Sequence, residues 1–167
     1  IQTRQVEVLE SQRYVDPIRY MTFMERIKKT IADYMEERDS EKYLSSMEKM
    51  AEDYRAGRNS VKYPENIMDD SDAKSFYGAV CAGIKKSTGA TDVEISEELG
   101  QLALDIKAVI VKHTKRDWRE NVIVHRDIKK ALDDLLFDYM EDHKLEWSLD
   151  TIDIIIDEIM MVAKKGY

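Results

Sequence analysis

The residues able to bind a transition metal or act as a nucleophile near neutral pH are few: His113, His125, His143 and the single cysteine, Cys81. The histidines are far apart, and none stands in the His-Glu-x-x-His spacing that brings two imidazoles onto one helical face. Carboxylates occur as neighbours, in Glu36–Glu37, Asp69–Asp70, Glu97–Glu98 and Asp133–Asp134. Adjacent residues on a helix point about 100° apart, so these pairs diverge from any common metal or proton and read as solvated faces. Inward-facing Glu-x-x-His units, which build helical di-metal sites, do not occur. A phosphate cradle needs glycines for close amide approach and a lysine behind them, and no Gly-Lys-Ser/Thr arrangement is present. Cys81 lies on an apolar stripe, where a small buried thiol is the simplest reading. No catalytic, cofactor-binding or metal-binding residue is expected in this stretch of chain.

Two patterns point to recognition instead. Lys112, Lys115, Arg116 and Arg119 form a basic strip that Arg126, Lys129 and Lys130 continue, with Arg126 and Lys130 one helical turn apart. These are the candidate DNA-contacting residues, although Asp117, Glu120 and Asp127 interrupt them and ordinary surface pairing accounts for the same residues. In the first half, Tyr14, Tyr20, Tyr34, Tyr43 and Tyr54 accompany Met21, Met24, Met35, Met47 and Met50. Tyrosine and methionine serve both adaptable interfaces and half-buried cores. Trp118, Trp147, Phe76 and Tyr77 are candidate anchors for packing between lobes.

The chain has 167 residues, 43% of them hydrophobic, enough for one domain or two helical lobes. A charged fraction of 36% suits helices with densely charged outer faces. The net charge of −8 opposes binding to phosphate backbones on average, so any nucleic-acid contact must be local. One cysteine excludes an internal disulfide and fits the cytoplasm. No apolar run approaches the roughly 18 residues of a membrane span, and the start lacks the pattern of a signal peptide. The first residue is Ile1, and Ile1 to Glu10 reads as the middle of a helix without a cap, the expectation for a piece of a longer protein.

Helical periodicity organises nearly everything. Tyr20, Phe23, Met24, Ile27, Ile31, Tyr34 and Met35 form one stripe between Ile18 and Arg38. Asp39 or Ser40 caps a second helix striped by Tyr43, Leu44, Met47, Met50, Ala51 and Tyr54, with Gly57 at its stop. Residues 58–71 carry no period and predict a loop between an N-terminal lobe, 1–57, and a C-terminal lobe, 72–167. Ser71 or Asp72 caps a short helix ending at Gly89, and Thr91 with Glu94, or Ser96, opens a helix in which Gly100 marks a close crossing. Asp117 with Glu120 predicts a capping box around Trp118, ahead of a helix striped by Val124, Ile128, Leu132, Leu135, Leu136 and Tyr139. Ser148 caps a last helix ending at Gly166; its Ile154–Ile156 run is where a strand competes, but no partner strand is available. The expected fold is all-α, an irregular bundle of about six helices.

Several of these segments resemble the C-terminal helical region of the motor and nuclease (R) subunit of type I restriction enzymes. The run from Leu102 to Tyr139 has that region's hydrophobic helix, then an Asp-Trp pair at Asp117–Trp118, a basic amphipathic helix through Arg126 and Lys130, and paired leucines at Leu135–Leu136. SFYGAV at Ser75–Val80 is similar to its Phe-Tyr segment, and TFMERIKKTIADYMEER, from Thr22 to Arg38, to its opening helix. After the paired leucines this chain has residues 143–147 in place of the Tyr-Pro turn frequent in the family. The resemblance implies a long parent enzyme, with a metal-dependent nuclease domain and two helicase-like domains using ATP and Mg2+ to translocate double-stranded DNA. It also implies that this region docks the motor onto the methyltransferase and specificity subunits.

Overall fold

A computed structural model describes residues 12–56 and 61–166. Six α-helices and no strand occur among the described residues: α1 (Pro17–Glu37), α2 (Ser40–Arg55), α3 (Ser71–Thr88), α4 (Glu97–His113), α5 (Val122–Asp142) and α6 (Leu149–Gly166), with 3-10 turns at Glu65–Ile67 and Trp118–Glu120. The Ile154–Ile156 run is helical, as the caps and end charges of its segment require. The expected helix at Ile1–Glu10 and the stop at Gly57 lie outside the described residues.

The chain divides into two compact units. The first contains Ile18–Lys62. In it α1 and α2 form a hairpin whose turn is fixed by Asp39, which accepts from the Lys42 amide at 3.0 Å. Its buried apolar core is small, Phe23 and Met50, with Tyr20, Ile27, Met47 and Tyr54 packed against it. Phe23 and Tyr54 rings lie 4.7 Å apart, the Arg19 guanidinium covers the Tyr54 ring, and Arg26 reaches Asp53 at 3.4 Å.

The second unit, Tyr63–Tyr167 with Tyr14–Pro17, is a four-helix bundle. Residue pairs define its topology. Asp70 meets Lys107, so α3 and α4 run antiparallel, since their facing ends, Ser87 and Glu97, belong to the other end of the bundle. Lys129 meets Asp157 and Arg119 meets Lys164, which sets α5 against α6. Ser87 meets Thr151 and Gly83 meets Ile155, which returns α6 antiparallel to α3. With α4 packed on α5 the ring closes in up-down-up-down order.

Within this ring α6 buries Ile152, Ile155, Ile156, Ile159, Met160, Val162 and Ala163. The buried residues of α3 include the small Gly78, Ala79 and Gly83. A Cβ on Gly83 would lie 2.7 Å from the Ile155 Cα, so the two backbones pass at a distance that only glycine permits.

The caps correct several expectations. α3 is capped by Asp70, not Ser71 or Asp72, through the Ala73 amide at 2.9 Å. Of the two starts for α4, Ser96 is used, accepting from the Leu99 amide at 3.1 Å. No capping box forms at Asp117 and Glu120; Asp117 takes a left-handed φ of 60° with no cap bond, and Asn121 caps α5 instead. The intervening residues use the 3-10 turn to bury Trp118, so the tryptophan's burial wins over an earlier helix start. Gly89, with φ of 71°, ends α3 as a left-handed cap.

Residues 58–71 are not a plain spacer. From Pro64 onward they pack in the second unit: Ile67 is buried and Asn66 donates to the Glu97 carbonyl at 2.8 Å. The close approach expected at Gly100 is to this segment and not to another helix, because a Cβ there would overlap the Asn66 side chain and sit 3.0 Å from Pro64 Cβ.

These distances separate the two glycines. Gly83→Ala adds helix propensity of about 1 kcal/mol but must push α3 and α6 backbones apart, for a net loss of about 1–3 kcal/mol in urea denaturation. At Gly100 the closest obstruction is the end of the rotatable Asn66 side chain, with Pro64 Cβ next at 3.0 Å and no helix backbone among the closest atoms, so Gly100→Ala costs less than Gly83→Ala. The opposite order contradicts the packing described.

Candidate functional site

Of the basic residues singled out by the sequence, Lys112, Lys115, Arg116 and Arg119 lie at the end of the second unit where α4 ends, α5 begins and α6 ends, while Arg126, Lys129 and Lys130 run on along α5. Lys112, Lys115 and Arg116 are exposed around the α4 terminus. Arg119 is anchored, its Nε donating to the Lys164 carbonyl at 3.0 Å, and Lys129 is paired with Asp157 at 3.0 Å. Arg126 and Lys130 share an exposed face of α5, with Asp127 3.7 Å from the Arg126 guanidinium. Arg116 contacts Asp117 only loosely, at 3.9 Å. Lys164 and Lys165 join the same end from α6; the sequence offered them only as charges matched to a helix terminus.

The aromatic candidates separate. Phe76, Tyr77 and Trp118 are buried within the second unit's own core. Trp147 is half-buried at the opposite end of the bundle, its ring stacked on Tyr139 at 5.9 Å, with His143 on Tyr139 at 4.1 Å. His125 sits edge-on to Trp118 at 5.8 Å, at the other end of α5. His113 and His143 each use Nδ1 toward the carbonyl one turn back, Val109 and Tyr139, at 2.8 and 2.9 Å. The three imidazoles therefore do not converge, and no group of three metal-ligating side chains occurs among the described residues.

Cys81 is buried beside Tyr77, and its burial pushes the thiol up to about 12. Burial likewise raises Tyr77 and Tyr139 above the ordinary phenol range. All three stay neutral at physiological pH, so neither a thiolate nor a phenolate is poised for nucleophilic attack. A hollow of about 30 Å3 in the first unit, lined by Asp33, Tyr34, Glu37, Lys42 and Tyr43 among others, has room for little more than a water. No helix among the described residues is long and apolar enough to cross a membrane.

The polar feature the sequence did not pair is Asp70 with Lys107, at 2.7 Å. The Lys107 ammonium, helped by the Ala73 amide, holds the Asp70 carboxyl below its ordinary value, and Asp70 raises Lys107 in return. One carboxylate thus caps α3 and ties α3 to α4.

No protein-family model, no curated protein and no solved structure matches this chain.

Two outcomes follow. Because Asp70 is lowered, its contribution is full above the ordinary carboxylate value near 3.8 and disappears as pH falls through its own lower value. Because Lys107 is raised, its share is full below 10.5 and disappears as pH rises through its raised value. Asp70→Asn, which keeps an N-cap, should lose about 0.5–1 kcal/mol at neutral pH, and Asp70→Ala about 1 kcal/mol more. The Asn variant's deficit should vanish in acid; a deficit growing with acid contradicts the pairing. Cys81, in turn, should react with a thiol reagent at pH 8 only as fast as the second unit opens, accelerating in denaturant; rapid labelling of the folded chain contradicts its burial.

Proposed function

We propose that this chain is a non-catalytic helical docking domain, the C-terminal helical region of a type I restriction enzyme R subunit. On this reading it joins the ATP-dependent, DNA-translocating and DNA-cleaving motor to the methyltransferase and specificity subunits. The chemistry resides elsewhere in the parent enzyme, where ATP and Mg2+ act.

One observation supports docking above all. The apolar stripe of the first unit is longer than its hairpin can cover: Ile31, Met35 and Leu44 remain 43%, 59% and 59% exposed. Ile31 and Met35 are one turn apart on α1, and the neighbouring Tyr34 and Tyr43 rings pack at 4.9 Å. The described part of the first unit buries little apolar core, and burial of such a stripe against a partner releases roughly 25 cal/mol per Å2. Methionine and tyrosine are the residues that adapt to and dominate such surfaces. The restriction-enzyme context itself is supported by the helix pattern and Asp117–Trp118 resemblance.

Contact with duplex DNA through the basic end is the rival. It is weakened by Arg119 and Lys129 being engaged within the bundle and by the acidic residues between the cations.

The test is binding to purified methyltransferase–specificity core. The chain should bind the core without hydrolysing ATP or cutting DNA, and Met35→Glu with Leu44→Glu should weaken binding about tenfold or more at unchanged helicity. Core assembly indifferent to both substitutions, or ATPase activity in the chain alone, removes the proposal.

A further inference from the structure

The chain enters the second unit twice. Residues Tyr14–Pro17, ahead of α1, belong to that unit; the chain leaves it for Ile18–Lys62 and returns at Tyr63. The two places meet, because the Tyr63 hydroxyl donates to Asp16 Oδ1 at 2.6 Å. Around this bond the strap of residues 14–17 is fastened to the bundle. Pro17 is buried, the Val15 carbonyl accepts from the Ser75 hydroxyl on α3, and the Tyr14 ring lies 6.0 Å from the Lys165 ammonium at the end of α6. Tyr63 is held in turn. Its ring stands edge-on to buried Tyr77 at 6.1 Å and beneath the Lys74 ammonium at 5.1 Å, and Pro64 beside it is buried.

None of these partners lies in α2 or beyond the first residue of α1, so what they fix is where the hairpin begins and ends. Asp16 directly precedes Pro17, whose ring presets the φ of a first helical turn, and α1 therefore starts at this bond. α2 ends at Arg55, and residues 56–62 bring the chain back to Tyr63. At the far end the same hairpin is turned by the Asp39 cap. A segment tied at both ends gains fewer open conformations on melting than one tied at its tip alone. That restriction counts most where little core is enclosed, and the described residues of α1 and α2 bury only Phe23 and Met50.

We infer that the Asp16–Tyr63 bond is a clasp that sets the folding equilibrium of the α1–α2 hairpin. The hairpin is an arm inserted into the second unit, able to open and close while the strap and the bundle stay folded. Closed, the clasp holds the arm ready for a partner. The use of the arm for docking rests on the reading proposed above; the clasp itself does not.

Amide exchange of the full chain, with and without the methyltransferase–specificity core, tests this. Tyr63→Phe removes only the hydroxyl. It should speed exchange of the α1 and α2 amides about threefold, the size expected for one partly exposed hydrogen bond, and leave those around Val80 and Ile155 unchanged. Asp16→Ala should act in the same direction, and the double variant should exchange no faster than Asp16→Ala alone, because the same bond is lost in each. Phe23→Ala should strip protection from both arm helices while the bundle amides keep theirs. The inference is overturned if Tyr63→Phe leaves the arm unchanged or speeds the bundle equally, if the two clasp substitutions add in full, or if Phe23→Ala unprotects the bundle as well. The core, when added, should slow arm exchange in wild type and in Tyr63→Phe. If the clasp variants behave as stated and the core slows neither, the docking reading falls and the clasp stands.

Discussion

The second unit depends on the need to bury the broad apolar face of α6, whose exposed side chains beyond the first turn, Asp153, Asp157, Lys164 and Lys165, are confined to the remaining side and the C-terminal end. A face that wide needs more than one neighbour. Here α3 lies against it at the Gly83–Ile155 approach and α5 closes the other flank through Lys129–Asp157 and Arg119–Lys164. α4 then bridges α3 and α5 with Leu99, Leu102, Ala103, Ile106 and Ile110 turned inward. The polar groups that α6 does bury are answered: Thr151 shares hydroxyl hydrogen bonds with Ser87 and Ser148, and Glu158 meets Lys86 at 3.2 Å.

The interior of the ring holds aliphatic side chains and neutral phenol and thiol groups, while the ionisable side chains lie mostly around the outside and at the two ends. The interior gives rigidity, and the ends and uncovered stripes are what another molecule meets. The proposed docking reading draws on the exposed stripe of α1 and α2.

The helices were legible because their stripes repeat at helical pitch over four or more turns, as in Tyr20 to Met35 and Val124 to Tyr139. Ser148 was legible as a cap by itself, its hydroxyl accepting from the Thr151 amide, while Asp39 and Ser96 were each one of two alternatives, beside Ser40 and against a start at Thr91. Caps were misread at Ser71 and Asp117, where several cap formers are adjacent and tertiary burial decides: Asp70 wins because it also reaches Lys107, and Trp118 is drawn inward by the core before α5 starts. Gly83 gave no signal, since a lone glycine inside a helix reads as a weakness until the facing helix is known. The basic strip could be listed from sequence, but its nearness to Lys164 and Lys165 depends on antiparallel packing that spacing along one chain does not reveal.

The account's central claim is that the apolar face of α6 is enclosed in a closed bundle, whereas the described residues of α1 and α2 bury little between them. Amide hydrogen exchange under native conditions tests this most directly. The α6 amides around Ile155 and Ile159, with those of α3 around Val80, should exchange only through global opening and slow together as stability rises, while α1 and α2 exchange through smaller openings. Exchange of the α6 interior at rates as fast as those of α1 contradicts the account.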